Sequence, residues 1–223
     1  MSTVQGGQGN IVTNGLVLNL DAANPRSYLP PYNGTTWFNL ASSSTNGTLT
    51  NGPTFNTGSG GNIVFDGVDD SCLGSILVPS SFTVNFWFKP LQLRDYNPGF
   101  QINAWGDFVW HTTATGQIYC GTDLNNRFDP NSPGCGIGAV VVNVIHNFTY
   151  TYTAGRGTLY KNGNLIVTSN NQLTPTSAGT IKTYSSPYSP SNTNVYIFQV
   201  YNRALSASEI NQNFQATRAR FGI

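Results

Sequence analysis

Charge is what this sequence has least of. Asp, Glu, Lys and Arg make up 9% of its 223 residues, against the ~25% of an ordinary soluble domain. The net charge is +1, so self-repulsion does little to keep copies apart, and the composition favours a protein packed against neighbours. Arg218 and Arg220 are the densest positive spot, at the end of a helical segment where cations suit the dipole. With no basic patch, nucleic-acid binding is not expected. Cysteine is scarce: Cys72, Cys120 and Cys135 form an odd set without a C-x-x-C pair. A zinc site is therefore not expected, and thiols in a reducing setting are. A bridge between Cys120 and Cys135, which flank one loop, is the alternative. No run of ~20 apolar residues is present, so no membrane span is expected. The opening stretch, MSTVQGGQGNIVTNG, lacks the charged and apolar regions of a secretion signal. Glutamate is nearly absent: Glu209 is the single one.

What the chain does hold is polar, uncharged and aromatic. Asn outnumbers the 24 Gly, aromatics are 13% and apolar residues 39%. That is enough for one substantial core, and a β-sandwich of this length commonly forms one domain. Residues 1–14 are Gly/Gln/Thr-rich and read as an arm that could serve as a docking segment. From Leu16, alternating apolar residues mark a strand over 16–22. Short apolar runs then alternate with turn signals at Asn46-Gly47, Asn51-Gly52 and Asp66-Gly67. In FTVNFWFKP (82–90), Phe82, Val84, Phe86 and Phe88 share one face and Thr83, Asn85, Trp87 and Lys89 the other. Aromatics on both faces predict a strand covered on both sides. Further strands are expected around FQINAW, DFVWHT and GQIYC, and a long strand or a bent pair over 139–153. Asn162-Gly163 joins two β-rich runs in a type I′ hairpin. The stretch 170–194 reads as a Ser/Pro/Asn-rich loop before a last strand at 195–202.

Helical periodicity is clear only at the end. Ser206 and Glu209 have capping-box spacing, Leu205 and Ile210 occupy the two positions of a hydrophobic staple, and Ile210 and Phe214 share a face. Many short strands closed by one helix predict an all-β sandwich or jelly roll.

Several segments, in order, carry a resemblance. They are GLVLNLDAANPRSY, GGNIVFDGVDD, FTVNFWFKP followed later by GTLYKNGNLI, and VYNRALSASEI with the closing ARFGI. Together they resemble the concanavalin A-like lectin/glucanase superfamily, specifically LamG-like jelly-roll domains of the type found in bacteriophage structural proteins. The resemblance runs from about Gly15 to Ile223. It implies one LamG-like domain over 15–223: an antiparallel β-sandwich with one short C-terminal helix. His146 matches a His that many such domains carry after a Trp; here Ile145 stands in the Trp position.

The chemistry of that superfamily makes demands on particular residues. Glycoside hydrolysis needs two carboxylates flanking the scissile bond, and the capping box already accounts for Glu209. His111 and His146 have no G-x-S-x-G elbow to serve, so no catalytic residue is assigned. Asp66, Asp69 and Asp70 are the one tight acidic cluster. As hard oxygen donors they suit calcium, although Asp side chains at a turn also serve simply to accept backbone N–H groups. No other cofactor is expected. For a glycan, Trp105, Trp110 and Tyr119 would supply ring platforms. Asp123, Asn125, Asn126 and Arg127 would supply hydrogen bonds beside them. The expectation is a non-enzymatic virion protein on a phage capsid, tail or fibre. Its partners would be other virion proteins and further copies of itself, with no nucleic acid and no membrane. A lectin-like module recognising cell-surface glycan is the alternative, and a glycoside hydrolase ranks third.

Overall fold

The structure, a computed structural model, describes residues 10–42, 45–76, 80–102, 108–122, 126–128, 134–170, 180–183 and 191–223. Along the chain come β1 (Leu16–Asp21), β2 (Thr36–Trp37), β3 (Gly47–Thr50), β4 (Thr54–Asn56), β5 (Asn62–Asp66) and β6 (Ser71–Ser75). Then follow β7 (Ser81–Pro90), β8 (Asn97–Ile102), β9 (Phe108–Thr112), β10 (Ile118–Thr122) and β11 (Asn126–Arg127). Last are β12 (His146–Thr153), β13 (Arg156–Lys161), β14 (Asn164–Ser169), β15 (Thr180–Thr183), β16 (Asn192–Tyr201) and helix α1 (Ala207–Arg218).

Two antiparallel sheets stack face to face. One runs β14-β13-β12-β7-β16-β5-β4, with β1 beside the second half of β16; the other runs β11-β10-β9-β8-β15-β6-β3-β2. The core lies between them. β7 sits at the centre of the first sheet and is covered on both faces, as its sequence predicts. Phe82, Val84, Phe86 and Phe88 point into the core. There Phe86 meets Trp110 edge-on at 4.9 Å and Phe100 at 5.6 Å, the geometry that ring quadrupoles favour. Gly99 permits this closeness: a Cβ there would lie 2.4 Å from the Trp110 ring.

The other face of β7 is polar yet buried. Asn85 donates to Gln199 Oε1 at 2.8 Å and accepts from Asn147 Nδ2 and Thr149 Oγ1, each at 2.8 Å. Gln199 passes the chain of bonds on to Asn19 at 3.1 Å. A buried amide is tolerated only when its donors and acceptors are met, and here three neighbouring strands and β1 meet them. Beside this ladder, α1 and the turn after it lay Phe214 and Phe221 flat on Trp87, at 5.7 and 4.2 Å.

The helix begins where the sequence predicts. Ser206 Oγ accepts the Glu209 N–H at 3.3 Å, and Glu209 Oε2 accepts the Ser206 N–H at 2.9 Å. Leu205 and Ile210 are buried together with Tyr201 and Val12. Val12 shows that the end of the expected arm is part of the packed body: its N–H donates to Asn213 Oδ1 at 2.8 Å, and its carbonyl accepts from Tyr201 at 3.0 Å. Residues 1–9 lie outside the described residues. The Asn162-Gly163 hairpin also forms, both residues holding the positive φ that a type I′ turn needs (52° and 75°).

Two expectations fail locally, and one alternative is not realised. Of 139–153, only His146–Thr153 is strand. Asn143 at φ 63° breaks the run, and the backbone N–H groups of Val140 and Asn143 go to Gly116 and Pro90 rather than to a ladder. The 170–194 loop contains β15, whose backbone pairs with both β6 and β8. No bridge joins Cys120 to Cys135; all three cysteines are buried thiols.

Candidate functional site

The outer face of the second sheet carries the candidate site. Along β9 and β10 side chains alternate. Trp110, Ile118 and Cys120 enter the core, while His111 and Tyr119, directly paired across the two strands, face the other way. Their rings stack at 5.2 Å, nearly parallel at 5°. Tyr96, from the segment between β7 and β8, lies 5.7 Å from His111. Tyr96 holds φ 59°, a left-handed backbone that costs a non-glycine residue about 1 kcal/mol, and its ring is half exposed.

The tight β9–β10 turn closes one wall. Thr113 N–H donates to the Gln117 carbonyl and Gly116 N–H to Thr113, each at 3.0 Å. Asp95 Oδ1 accepts the Ala114 N–H at 3.0 Å, which ties the Tyr96 segment to that turn. His111 is oriented by its Nδ1–H, which donates to the Thr112 carbonyl at 3.3 Å. Asp95, Tyr96, His111, Thr113 and Tyr119 together line a cleft of ≈ 260 Å³. That is just below the ~300–1,000 Å³ of sites for drug-sized ligands, and it suits one or two sugar units. Two tyrosine rings, a carboxylate and a hydroxyl around one hollow can cover the apolar face of a sugar while bonding its hydroxyls, and His111, 1% exposed, backs the rings.

Of the residues expected for glycan recognition, Tyr119 is found at this cleft. Trp110 is a correction: it is 1% exposed and wedged between Phe86 and Phe148, because its place in the strand alternation points it inward. Trp105, Asp123 and Asn125 lie outside the described residues. Asn126 and Arg127 form β11, paired with the end of β10. Asp95, Tyr96, His111 and Thr113 were not assigned from sequence. Strand alternation would have separated Tyr119 and His111 from Trp110. Nothing local announces that the Asp95-Tyr96 segment folds against them.

Two other expected sites can be placed. The carboxylates of Asp66, Asp69 and Asp70 come together within 4.8 Å of one another at the β5–β6 turn. Asp66 and Asp69 are exposed and Asp70 is buried. Burial, with the like charges of Asp66 and Asp69, raises the Asp70 carboxyl above the usual range despite the Asp66 N–H it accepts. Glu209 is engaged by Arg203 through two bonds of 2.6 and 2.9 Å. The Arg203 guanidinium holds its carboxyl down at about 2, so Glu209 has no proton to donate near neutrality. His146 faces the core, where Nε2 accepts the Val141 N–H at 3.0 Å. Burial pushes its pKa down to about 4.

Comparisons with known proteins bear on the fold. No curated protein matches the sequence. Among solved structures, a Trypanosoma rangeli sialidase in complex with 2,3-difluorosialic acid superposes with a TM-score of 0.69 at 15% identity, over 99% of this chain and 36% of the sialidase. The chain thus spans about a third of that enzyme. Domain 4 of AbnA, an extracellular arabinanase from Geobacillus stearothermophilus, in complex with arabinotriose, matches at 0.65 and 14% identity. There the overlap is 89% of this chain and 97% of the domain. The family model Laminin_G_3 matches residues 65–211, which take in the acidic turn, the cleft and the start of the helix. The chain belongs to the concanavalin A-like lectin/glucanases superfamily.

Proposed function

We propose that the protein is a carbohydrate-binding module that holds a neutral sugar in the Tyr96–His111–Tyr119 cleft and does not cleave it. The observation that carries the reading is the cleft itself: aromatic rings and hydrogen-bonding groups converge on one hollow of sugar size. The carboxylates support binding without hydrolysis. Among the described residues Asp95 is the single acid lining the cleft, whereas glycoside hydrolysis ordinarily uses a pair about 5–10 Å apart. The domain in complex with arabinotriose supports the same class of ligand. A glycan array followed by calorimetric titration tests it. Tyr119→Ala is expected to weaken binding about tenfold or more, since loss of one stacked ring forfeits on the order of 1 kcal/mol plus its buried area. Unchanged affinity in Tyr119→Ala, or no binding to any glycan by the folded protein, would refute it. Release of reducing ends from a bound oligosaccharide would refute the non-enzymatic part.

A second reading places this module on a bacteriophage virion, as a decoration or adhesion part exposed on capsid, tail or fibre. It rests on the low charge, which leaves little self-repulsion between copies. Mass spectrometry of purified particles tests that placement. Sedimentation of the isolated protein tests self-association, and a strictly monomeric species absent from particles rejects this reading.

A further inference from the structure

We propose that the protein binds a single internal water molecule between its two sheets, held by Asn97, Thr112 and Thr193, and that this water braces one wall of the cleft. The strand geometry makes room for it. β8 carries a bulge: Pro98 pairs with His111 and Phe100 with Trp110, so Gly99 is an extra residue between them. A bulge bends its strand and locally opens the ladder. Behind this one lies a cavity of ≈ 10 Å³, whose lining includes Phe88, Asn97, Gly99, Trp110, Thr112 and Thr193. One water needs about 10–15 Å³ measured in this way.

The lining supplies the partners. Asn97 and Thr112 are direct cross-strand neighbours, and strand alternation puts Thr112 on the core side with Trp110, two residues before it. Asn97 is 6% exposed and Thr112 2%. The Asn97 Oδ1 and the Thr112 Oγ1 are each buried with no hydrogen-bond partner among the described residues. Leaving both unmet is costly. From the other sheet, Thr193 Oγ1 donates to the Lys89 carbonyl at 3.0 Å and keeps a lone pair for a further donor. A water that accepts from Thr112 and donates to Asn97 and Thr193 makes about three bonds, the usual number for a buried one. Apolar cavities stay dry, whereas a space with unmet polar groups holds water. No acidic side chain lines the cavity among the described residues, so its guest is neutral rather than a cation. The position gives the water its consequence. Asn97 Nδ2 donates to the Gln92 carbonyl at 3.2 Å, which closes the 92–97 segment that presents Asp95 and Tyr96 to the cleft. With its Oδ1 fixed by the water, the Asn97 carboxamide is held at both ends, and the segment keeps Tyr96 at its φ of 59°. Asn97 and Thr112 are thus positioning residues for the cleft wall.

The test uses the full chain. A high-resolution crystal structure of the wild type is expected to show one ordered water within about 3.2 Å of Asn97 Oδ1, Thr112 Oγ1 and Thr193 Oγ1. Magnetic relaxation dispersion of the water oxygen counts long-lived waters in solution. Thr112→Val nearly keeps the side-chain shape and removes the hydroxyl, so it is expected to lose one water from that count, while Thr112→Ser keeps it. Amide hydrogen exchange reads the brace, with β12 as the control for global stability. Exchange over 92–97 is expected to quicken about tenfold more than in β12 in Thr112→Val, the effect of one lost hydrogen bond, and to stay at the wild-type rate in Thr112→Ser. The wild-type crystal structure decides the site even if the valine variant fails to fold. No water at those three atoms, an unchanged count in Thr112→Val, or exchange over 92–97 that only follows β12 overturns the proposal. Glycan affinity enters none of these measurements, so the water site and the sugar reading of the cleft stand or fall independently.

Discussion

Acidifying the protein should destabilise it through the buried His146. His146 is 3% exposed and its pKa lies at about 4 instead of the ordinary 6.5. Burial is the main cause, and the nearby Lys161 charge adds to it, while the Val141 backbone works in the opposite direction. The folded pKa lies below the unfolded one, so the unfolded chain takes up the proton first. The contribution of the neutral ring is fully present above pH 6.5 and is lost as the pH falls toward 4. Lowering the pKa from 6.5 to about 4 corresponds to about 3 kcal/mol. Urea unfolding, followed by tryptophan fluorescence at intervals from pH 7.5 to 4, measures it in the wild type and in His146→Gln. Glutamine does not titrate and can still bond the Val141 backbone. The difference between the two proteins isolates the histidine, because other groups cancel. Glu209, held at about 2, loses its contribution below its ordinary 4.5, and Asp70, shifted upward, has the opposite sign. The wild type is expected to lose about 3 kcal/mol more than His146→Gln over this range. Curves that stay parallel within about 0.5 kcal/mol would show that the ring is not held neutral by the fold.

Other substitutions probe the two faces of β7. Asn85→Ala removes one donor and one acceptor that serve Gln199, Asn147 and Thr149. With three buried partners left short of a bond, a loss of about 3 kcal/mol or more is expected in urea unfolding; a loss under 1 kcal/mol would mean that water replaces the amide. Phe214→Ala deletes the ring stacked on Trp87 and should cost about 3 kcal/mol. It should also shift Trp87 emission to the red, which an unchanged spectrum would contradict.

How much of this was legible in the chain can be argued from particular residues. The helix start was, because Ser206, Glu209, Leu205 and Ile210 act within a few residues of one another. The hairpin at Asn162-Gly163 was, because φ > 0 at both positions is a local demand. β15 was not. Its four residues, Thr180–Thr183, carry no apolar alternation, and their strand exists because β6 and β8 offer ladders on both sides. The Val-rich run before His146 failed in the opposite sense: β propensity was present but no partner strand was. For the candidate site, Tyr119 was named for its ring alone. Trp110 was named for the same reason and proved to be core. Asp95 and Tyr96 were silent because their role comes from a contact with the β9–β10 turn, about twenty residues downstream.

The sequence by itself determined the local and periodic features of this protein: a sandwich of short strands, a capped closing helix, an acidic turn, and a near-neutral surface in which the single glutamate is occupied by a cap. Only the tertiary structure decided which strands became neighbours. It thereby decided that Asn85, Asn147, Thr149 and Gln199 form one buried ladder, that the Asp70 Oδ1 lies without a partner among the described residues, and that Tyr96, His111 and Tyr119 enclose a cleft. The physical reason is range. Capping, turn chemistry and side-chain alternation are set by groups a few residues apart, whereas a buried amide, an orphaned carboxylate oxygen or a cleft wall acquires its meaning from atoms brought together across distant segments of the chain.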